Sequence, residues 1–362
     1  MTASTSWKAV SRDGTAPYAL AMVVVMAPGA TEEQIAHVTS RVEETGGQAF
    51  VSRGVVRTII GLVGDIESFH GLNLRSMAGV QDVYRISDPY KLVSRQHYPD
   101  RSTVQVGPVG AQVAIGPGCF TFVAGPCAVE SPQQTLEAAE MARAAGAKLL
   151  RGGAFKPRTS PYAFQGLGVR GLEILADVRA VTGLPVVTEV VDVRDVAVVA
   201  EHADMVQVGT RNMANTGLLQ AVGDAGKPVL LERGMTATIE EWLMAAEHVA
   251  QRGNLDVVLC ERGIRTFEPA TRNTLDISAV PVVQATSHLP VVVDPSHAGG
   301  RRDLVVPLSR AAIAAGADGL VVDVHPDPEH ALCDGPQALV GSDLRALAQA
   351  VRQLPPVLGR TV

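Results

Sequence analysis

The sequence predicts an α/β chain in which a small α+β unit of ferredoxin-like order precedes a (β/α)8 TIM barrel. Three observations lead there. From Phe120 to Pro326, short β-branched runs alternate with Ala-rich segments of helical period. These runs recur at roughly the spacing of βα units, about 20 to 35 residues. The segment before them has a different order, with helical patterns set among strand-like runs.

Residues 1–17 are polar and are expected to form a flexible N-terminus. Order is expected from Tyr18, where "YALAMVVVM" reads as a strand. "TEEQIAHVTSRVEETGG" follows as a helix, with Thr31 as N-cap and Gly46 and Gly47 as its stop. "RTIIGLVG" and "VQDVYRI" read as strands on either side of "IESFHGLNLRSM", which completes a β-α-β-β-α-β unit over residues 18–90. Residues 91–115 are polar and carry Pro99 and Pro108, as a linker would. The barrel is expected over residues 116–355. Its strands are "FTFVAGP" from Phe120, "KLLRGG" from Lys148, "PVVTEV" from Pro185, "MVQVGT" from Met205, "PVLLERG" from Pro228, "VVLCERG" from Val257, "PVVVDPSH" from Pro290 and "GLVVDVHP" from Gly319. An open doubly wound sheet is the alternative. No run is directly followed by G-x-G-x-x-G, and eight runs favour closure.

The 362 residues are 46% hydrophobic and 19% charged, which suits a large core and argues against disorder. A net charge of −6 gives no reason to expect nucleic acid or an anionic membrane as partner. The chain has no apolar run of about 18 residues, and its start lacks the regions of a signal peptide, so a cytoplasmic location is expected. Cys119, Cys127, Cys260 and Cys333 are too few and scattered for a disulfide framework; free thiols or metal ligands are expected.

Polar residues gather where the runs end. Cys127 follows the first, Arg151 and Lys156 the second, Glu189 and Asp192 the third, and Arg211 the fourth. Glu232 and Arg233 follow the fifth, Glu261 and Arg262 the sixth, Asp294 and His297 the seventh, and Asp323 and Asp334 the eighth. One such residue is ordinarily a satisfied loop charge, but recurrence at every strand end points to a site on the C-terminal face of a barrel. Cys127, His297, Asp323 and Asp334 are metal-ligand types. Their mixed sulfur, nitrogen and oxygen donors suit Mn, Zn, Fe or Co better than Mg or Ca. Arg151, Lys156, Arg158, Arg211 and Arg262 would share one cavity, and such cations need anions between them. Guanidinium forks match carboxylate and phosphate, and "KPRTS" adds Pro157, Thr159 and Ser160 to a phosphate clamp. Small phosphorylated molecules are the expected substrates.

The blocks "AGPCAVES" from Ala124, "LRGGAFKPRTSPYAFQGLG" from Leu150, "QVGTRN" from Gln207, "CERGIRTFEPATRNTLD" from Cys260 and "VDPSHAGGRRDLVVPLSRAA" from Val293 carry a resemblance. From about Tyr18 onward the chain resembles the microbial 3-deoxy-D-arabino-heptulosonate 7-phosphate (DAHP) synthases, of the short subtype with an N-terminal ferredoxin-like domain. The resemblance implies a metal-dependent, aldol-like condensation of phosphoenolpyruvate with erythrose 4-phosphate that releases phosphate, the first step toward chorismate and the aromatic amino acids. It places the metal on Cys127, His297, Asp323 and Asp334. It assigns the phosphoenolpyruvate carboxylate to Arg151, Lys156 and Arg262, its phosphate to Arg211 and position 232, and the erythrose phosphate to Arg158 and Thr159. Lys156 is the implied proton-transfer group, with Cys127 and His297 holding the metal that polarises the aldehyde. The resemblance also implies a homo-oligomer and an aromatic amino acid effector on the N-terminal unit, where Phe50 and Ser52 could line a pocket; a plain dimer interface is the alternative use of that edge.

Two positions depart from the family pattern. Glu232 stands where the family has lysine; a charge reversal about 4 Å from a phosphate is worth about 4 kcal/mol per unit-charge pair at an effective dielectric of 20. A nearby Arg233 or Arg211 could neutralise it. Asp323 stands where glutamate is usual, which withdraws the ligand carboxylate by roughly 1.3 Å. Three readings follow: an ordinary DAHP synthase, a divergent enzyme with an altered donor or acceptor, or a non-catalytic regulatory paralogue. The intact cluster favours an enzyme.

Overall fold

Alternation along each strand decides which side chains of the barrel face inward and which pack outward. The computed structural model describes residues 21–54, 57–65, 68–69, 71–86 and 88–362. The chain falls into two units that part between Pro89 and Tyr90.

In the first unit, strands β1 (Met22–Met26), β2 (Gln48–Arg53), β3 (Thr58–Val63) and β4 (Val80–Arg85) form an antiparallel sheet in the order β2-β3-β1-β4. Helix α1 (Glu32–Glu43) starts as expected at Thr31. The Thr31 hydroxyl accepts from Gln34 N at 3.3 Å and the Gln34 side chain accepts from Thr31 N at 3.0 Å, a reciprocal cap. Its apolar stripe of Ile35, Val38 and Val42 packs with Val24, Met26, Ile60 and Leu62 into one small core. Of the second expected helical stretch, Ile66, Glu67 and His70 lie outside the described residues; a short 3-10 turn occupies Leu74–Ser76. Tyr18, Ala19 and Leu20, the expected start of the first strand, also lie outside them. Phe50 on edge strand β2 is 49% exposed.

In the second unit, strands β7 (Thr121–Gly125), β8 (Leu149–Arg151), β9 (Val186–Val190), β10 (Met205–Val208), β11 (Val229–Glu232), β12 (Val257–Glu261), β13 (Val291–Val293) and β14 (Gly319–Asp323) close into a parallel barrel, β14 pairing with β7. Closure excludes the open sheet. Residues Val123, Leu149, Val187, Met205, Leu230, Val258, Val292 and Val321 fill the interior as one apolar layer. Outward-facing neighbours such as Phe122, Leu150, Val206, Leu231 and Leu259 pack in the separate core shared with the helices. Cys260 belongs to the inner layer, as a small apolar residue. All four cysteines are free thiols.

Residues 91–115 differ from the linker expected. Lys91 N, Leu92 N and Val93 N donate to the Glu247 carboxylate at 3.0, 3.0 and 3.1 Å. Strands β5 (Val104–Val106) and β6 (Val113–Ile115) then form a hairpin whose Val104, Val106 and Ile115 join the inner barrel layer. Asp318, just before β14, binds Arg101 from this segment and Arg360 near the C-terminus. The barrel unit therefore reaches beyond residue 355. No helix among the described residues is long and apolar enough to cross a membrane.

Candidate active site at the strand ends

Two residues beyond the apolar layer, the same alternation turns a polar side chain inward: Leu149 gives way to Arg151, Val187 to Glu189, Met205 to Gln207, Leu230 to Glu232, Cys260 to Arg262 and Val321 to Asp323. This ring opens into a cavity of about 310 Å³. Cys127, Arg151, Lys156, Pro157, Arg158, Thr159, Ser160, Arg211, Glu232, Arg262, His297 and Asp334 all line it. Asp323 lies beneath the lining, fully buried.

One end of the cavity is a cluster of ligand-type atoms. Single donor atoms of Cys127, His297, Asp323 and Asp334 lie within 4.8 Å of one another. His297 Nε2 is 3.7 Å from Cys127 Sγ, 3.7 Å from Asp323 Oδ2 and 3.4 Å from Asp334 Oδ2. Its Nδ1 is 2.7 Å from Asp294 Oδ2, the carboxylate partner that fixes a ligating imidazole with Nε2 toward a cation. Asp334 adopts φ 53°, a left-handed conformation that Asp tolerates better than most residues. There it accepts from Arg272 at 3.1 Å. Burial would raise Asp334, but the hydrogen bond and charge of His297 hold it well below the ordinary carboxylate range. Burial likewise opposes a charged His297, and the Asp294 and Asp323 carboxylates outweigh it. A compact, anion-rich set of sulfur, nitrogen and oxygen donors fits a borderline divalent ion.

The cations stand next to that cluster. Lys156 Nζ lies 3.3 Å from Cys127 Sγ and donates to Cys127 O at 3.0 Å. Burial works against its charge, yet Cys127 and Glu189 raise it above the ordinary lysine value. Arg158 Nη1 lies 2.6 Å from Cys333 Sγ, and exposed Arg211 lies at the rim, 3.5 Å from Thr159 Oγ1. Deeper in, Nε of Arg151 and both Nε and Nη1 of Arg262 are buried without a hydrogen-bond partner. Buried guanidinium donors left unpaired in a cavity wall are placed for an anionic ligand.

Residues 95–358 match the DAHP synthetase I family, and residues 22–88 match the DAHP synthase ferredoxin-like domain. The chain belongs to the DAHP synthetase I family. It is 51% identical over 338 residues to the phospho-2-dehydro-3-deoxyheptonate aldolase of Thermotoga maritima, covering 93% of this chain and 99% of that protein. A crystal structure of the Thermotoga maritima phospho-2-dehydro-3-deoxyheptonate aldolase (DAHP synthase) superposes with a TM-score of 0.86 at 50% identity, over 94% of this chain and 99% of that one. More distant is a 2-dehydro-3-deoxyphosphooctonate aldolase from Syntrophobacter fumaroxidans, 36% identical over 62% of this chain and 83% of its own.

Not every polar strand end of this DAHP synthetase I member belongs to the site. Arg233 and Glu261 are one residue out of phase and face the helices. Arg233 Nη1 pairs with Glu261 at 3.0 Å and Asp276 at 2.8 Å, over the ring of Trp242. It does not neutralise Glu232. Neither does Arg211; the nearest guanidinium nitrogen to Glu232 is Arg262 Nε, at 3.8 Å. Asp192 is exposed and paired with Arg194. Conversely, Gln207, Thr210 and Arg272 line the cavity without having been singled out, and Gln337 holds Asp323. A glutamine inside the apolar run "MVQVGT" was the available signal for the first.

Proposed function

We propose that the chain condenses phosphoenolpyruvate with erythrose 4-phosphate, consuming one water, to give DAHP and phosphate, using a divalent metal held by Cys127, His297, Asp323 and Asp334. The observation that supports this best is the set of unpaired guanidinium donors of Arg151 and Arg262 in one cavity with that cluster.

In this reading Arg151, Lys156 and Arg262 hold the phosphoenolpyruvate carboxylate, and Arg211 at the rim meets its phosphate. Arg158, Thr159 and Ser160 clamp the phosphate of the aldehyde, so that two anions are separated along the cavity rather than stacked. When bound, Mn, Zn, Fe or Co supplies Lewis-acid polarisation of a carbonyl oxygen. Lys156, protonated beside Cys127, delivers a proton to the oxygen that becomes the new hydroxyl. Two buried cations near the enol carboxylate and a closed, largely protein-walled floor orient the enol carbon toward the aldehyde. The step belongs to the shikimate pathway to aromatic amino acids, in the cytoplasm. The N-terminal unit serves as the site of an aromatic amino acid effector, and the chain works as a homo-oligomer.

Incubating the metal-loaded protein with both substrates and following product by mass spectrometry tests the reading. A seven-carbon sugar acid phosphate and inorganic phosphate in equal amounts are expected. Absence of both products with correctly folded, metal-loaded protein would refute it.

A further inference from the structure

The wall formed by β9, β10 and β11 presents hydrogen-bond acceptors where a polyanion would want donors. Glu189, Gln207 and Glu232 occupy inward positions on these consecutive strands and are 8%, 7% and 7% exposed. Glu232 cannot swing away: Oε1 accepts from Gln207 Nε2 at 2.7 Å and Oε2 from Thr210 N at 2.9 Å. Gln207 thereby commits its amide nitrogen and leaves its buried Oε1 without a partner. Glu189 has no hydrogen-bond partner among the described residues. Arg151, Lys156 and Arg262 in the same cavity can hold one anionic group, Arg262 Nε standing 3.8 Å from Glu232. A second anion directed at the end of β11 meets the fixed carboxylate of Glu232.

We propose that Glu232 is the specificity-determining residue of this site and that it admits a carbon donor with a single anionic group, an unphosphorylated 2-oxo acid of the pyruvate class. The inference rests on the proposed condensation for its cavity and its aldehyde acceptor, and adds a second donor. Phosphoenolpyruvate already carries the C2=C3 double bond of an enol, as its phosphate ester; a 2-oxo acid is a ketone and must first lose a proton from C3. Glu189, facing the cavity with neither oxygen tied to an N–H, is the residue placed to take it. The electron pair released at C3 forms the new C–C bond to the aldehyde carbon. The aldehyde π bond breaks, and its oxygen recovers the proton. The product is a 4-hydroxy-2-oxo acid; no phosphate leaves, no water is consumed and nothing is oxidised.

The full chain loaded with Mn²⁺ is incubated with pyruvate in D2O without aldehyde, and the methyl signal is followed by NMR. Loss of methyl protons is expected, slowed at least 100-fold in Glu189→Gln while calorimetry shows that variant binding pyruvate within about threefold of wild type. With erythrose 4-phosphate added, the seven-carbon product should form without phosphate release. Glu232→Lys, and Glu232→Gln as the variant that keeps the shape of the side chain, should bind phosphoenolpyruvate at least tenfold tighter than wild type by calorimetry. Absence of methyl exchange and of product from pyruvate, while phosphoenolpyruvate and erythrose 4-phosphate still react, would overturn this inference and leave the proposed function standing. Failure of both donors would overturn both, and an unchanged phosphoenolpyruvate affinity in both variants would remove Glu232 from the role.

Discussion

Arg151 Nη2 lies 2.5 Å from Asp323 Oδ1, with the two side chains 3% and 0% exposed. This pair joins a cation of the cavity lining to the carboxylate that completes the cluster of ligand-type atoms. Gln337 binds the other Asp323 oxygen, and Ser296 Oγ accepts from the Asp323 backbone N at 3.1 Å. The shorter side chain at position 323 is therefore held from several sides rather than left to reach for a ligand.

Removing that charge should cost both stability and metal. Breaking one partner of a buried pair typically costs about 3–5 kcal/mol, and Asp294, 3.8 Å from the same guanidinium, offsets part of it. Asp323→Asn is expected to lose about 2–3 kcal/mol in denaturant unfolding. Metal titration should show affinity at least about tenfold weaker, since altered metal surroundings typically cost 10–100-fold.

Cys127 and His297 are expected to be required for metal. Cys127→Ala and His297→Ala should each carry far less bound metal than wild type by elemental analysis after dialysis. Equal content in all three proteins would remove the site.

Lys156→Ala should lower kcat/KM by about 10²–10⁴, the range for loss of a positioned proton donor. Steady-state phosphate release checks this, with circular dichroism showing an unchanged fold.

Glu189 makes stability depend on pH. Burial comes first among the causes that raise its pKa from 4.5 to about 7, Lys156 opposing and Glu232 assisting. A raised folded-state value means the native state holds the proton more tightly. The resulting stabilisation is complete below pH 4.5 and is lost as pH rises through about 7. At about 1.4 kcal/mol per unit, the upper limit is about 3 kcal/mol. Glu189→Gln should therefore gain stability relative to wild type between pH 5 and pH 8 in denaturant titrations; a constant difference would contradict the assignment.

A chain beginning at Tyr90 should retain turnover, because every residue lining the cavity lies in the second unit. Any inhibition by tyrosine or phenylalanine should disappear with the first unit. Inhibition that persists in the shortened chain would refute an effector site there.

Much of this architecture was legible because its period is simple. Their place at the ends of strand runs located Arg151, Glu189 and Asp323 in the sequence, and strand phase, two positions past an inward apolar residue, is what turns them inward. The same spacing rule separates Arg262 from Arg233, yet composition does not: each follows a glutamate at a strand end, and only strand phase turns one inward and the other toward Glu261. The hairpin of Val104–Val106 and Val113–Ile115 was hidden by its short strands and by Pro108, which look like a linker until the open end of a barrel needs covering. The grip of Gln337 on Asp323 and of Asp294 on His297 depends on loop geometry that no local pattern encodes.

The most direct test of the central assignment is phosphate release from phosphoenolpyruvate in single-turnover conditions, measured in chelator-treated protein before and after Mn²⁺ is restored. Release is expected only when both the metal and erythrose 4-phosphate are present, and it should be absent in His297→Ala at matched concentration. Equal release without metal, or release that ignores the aldehyde, would contradict a metal-dependent condensation at this cavity.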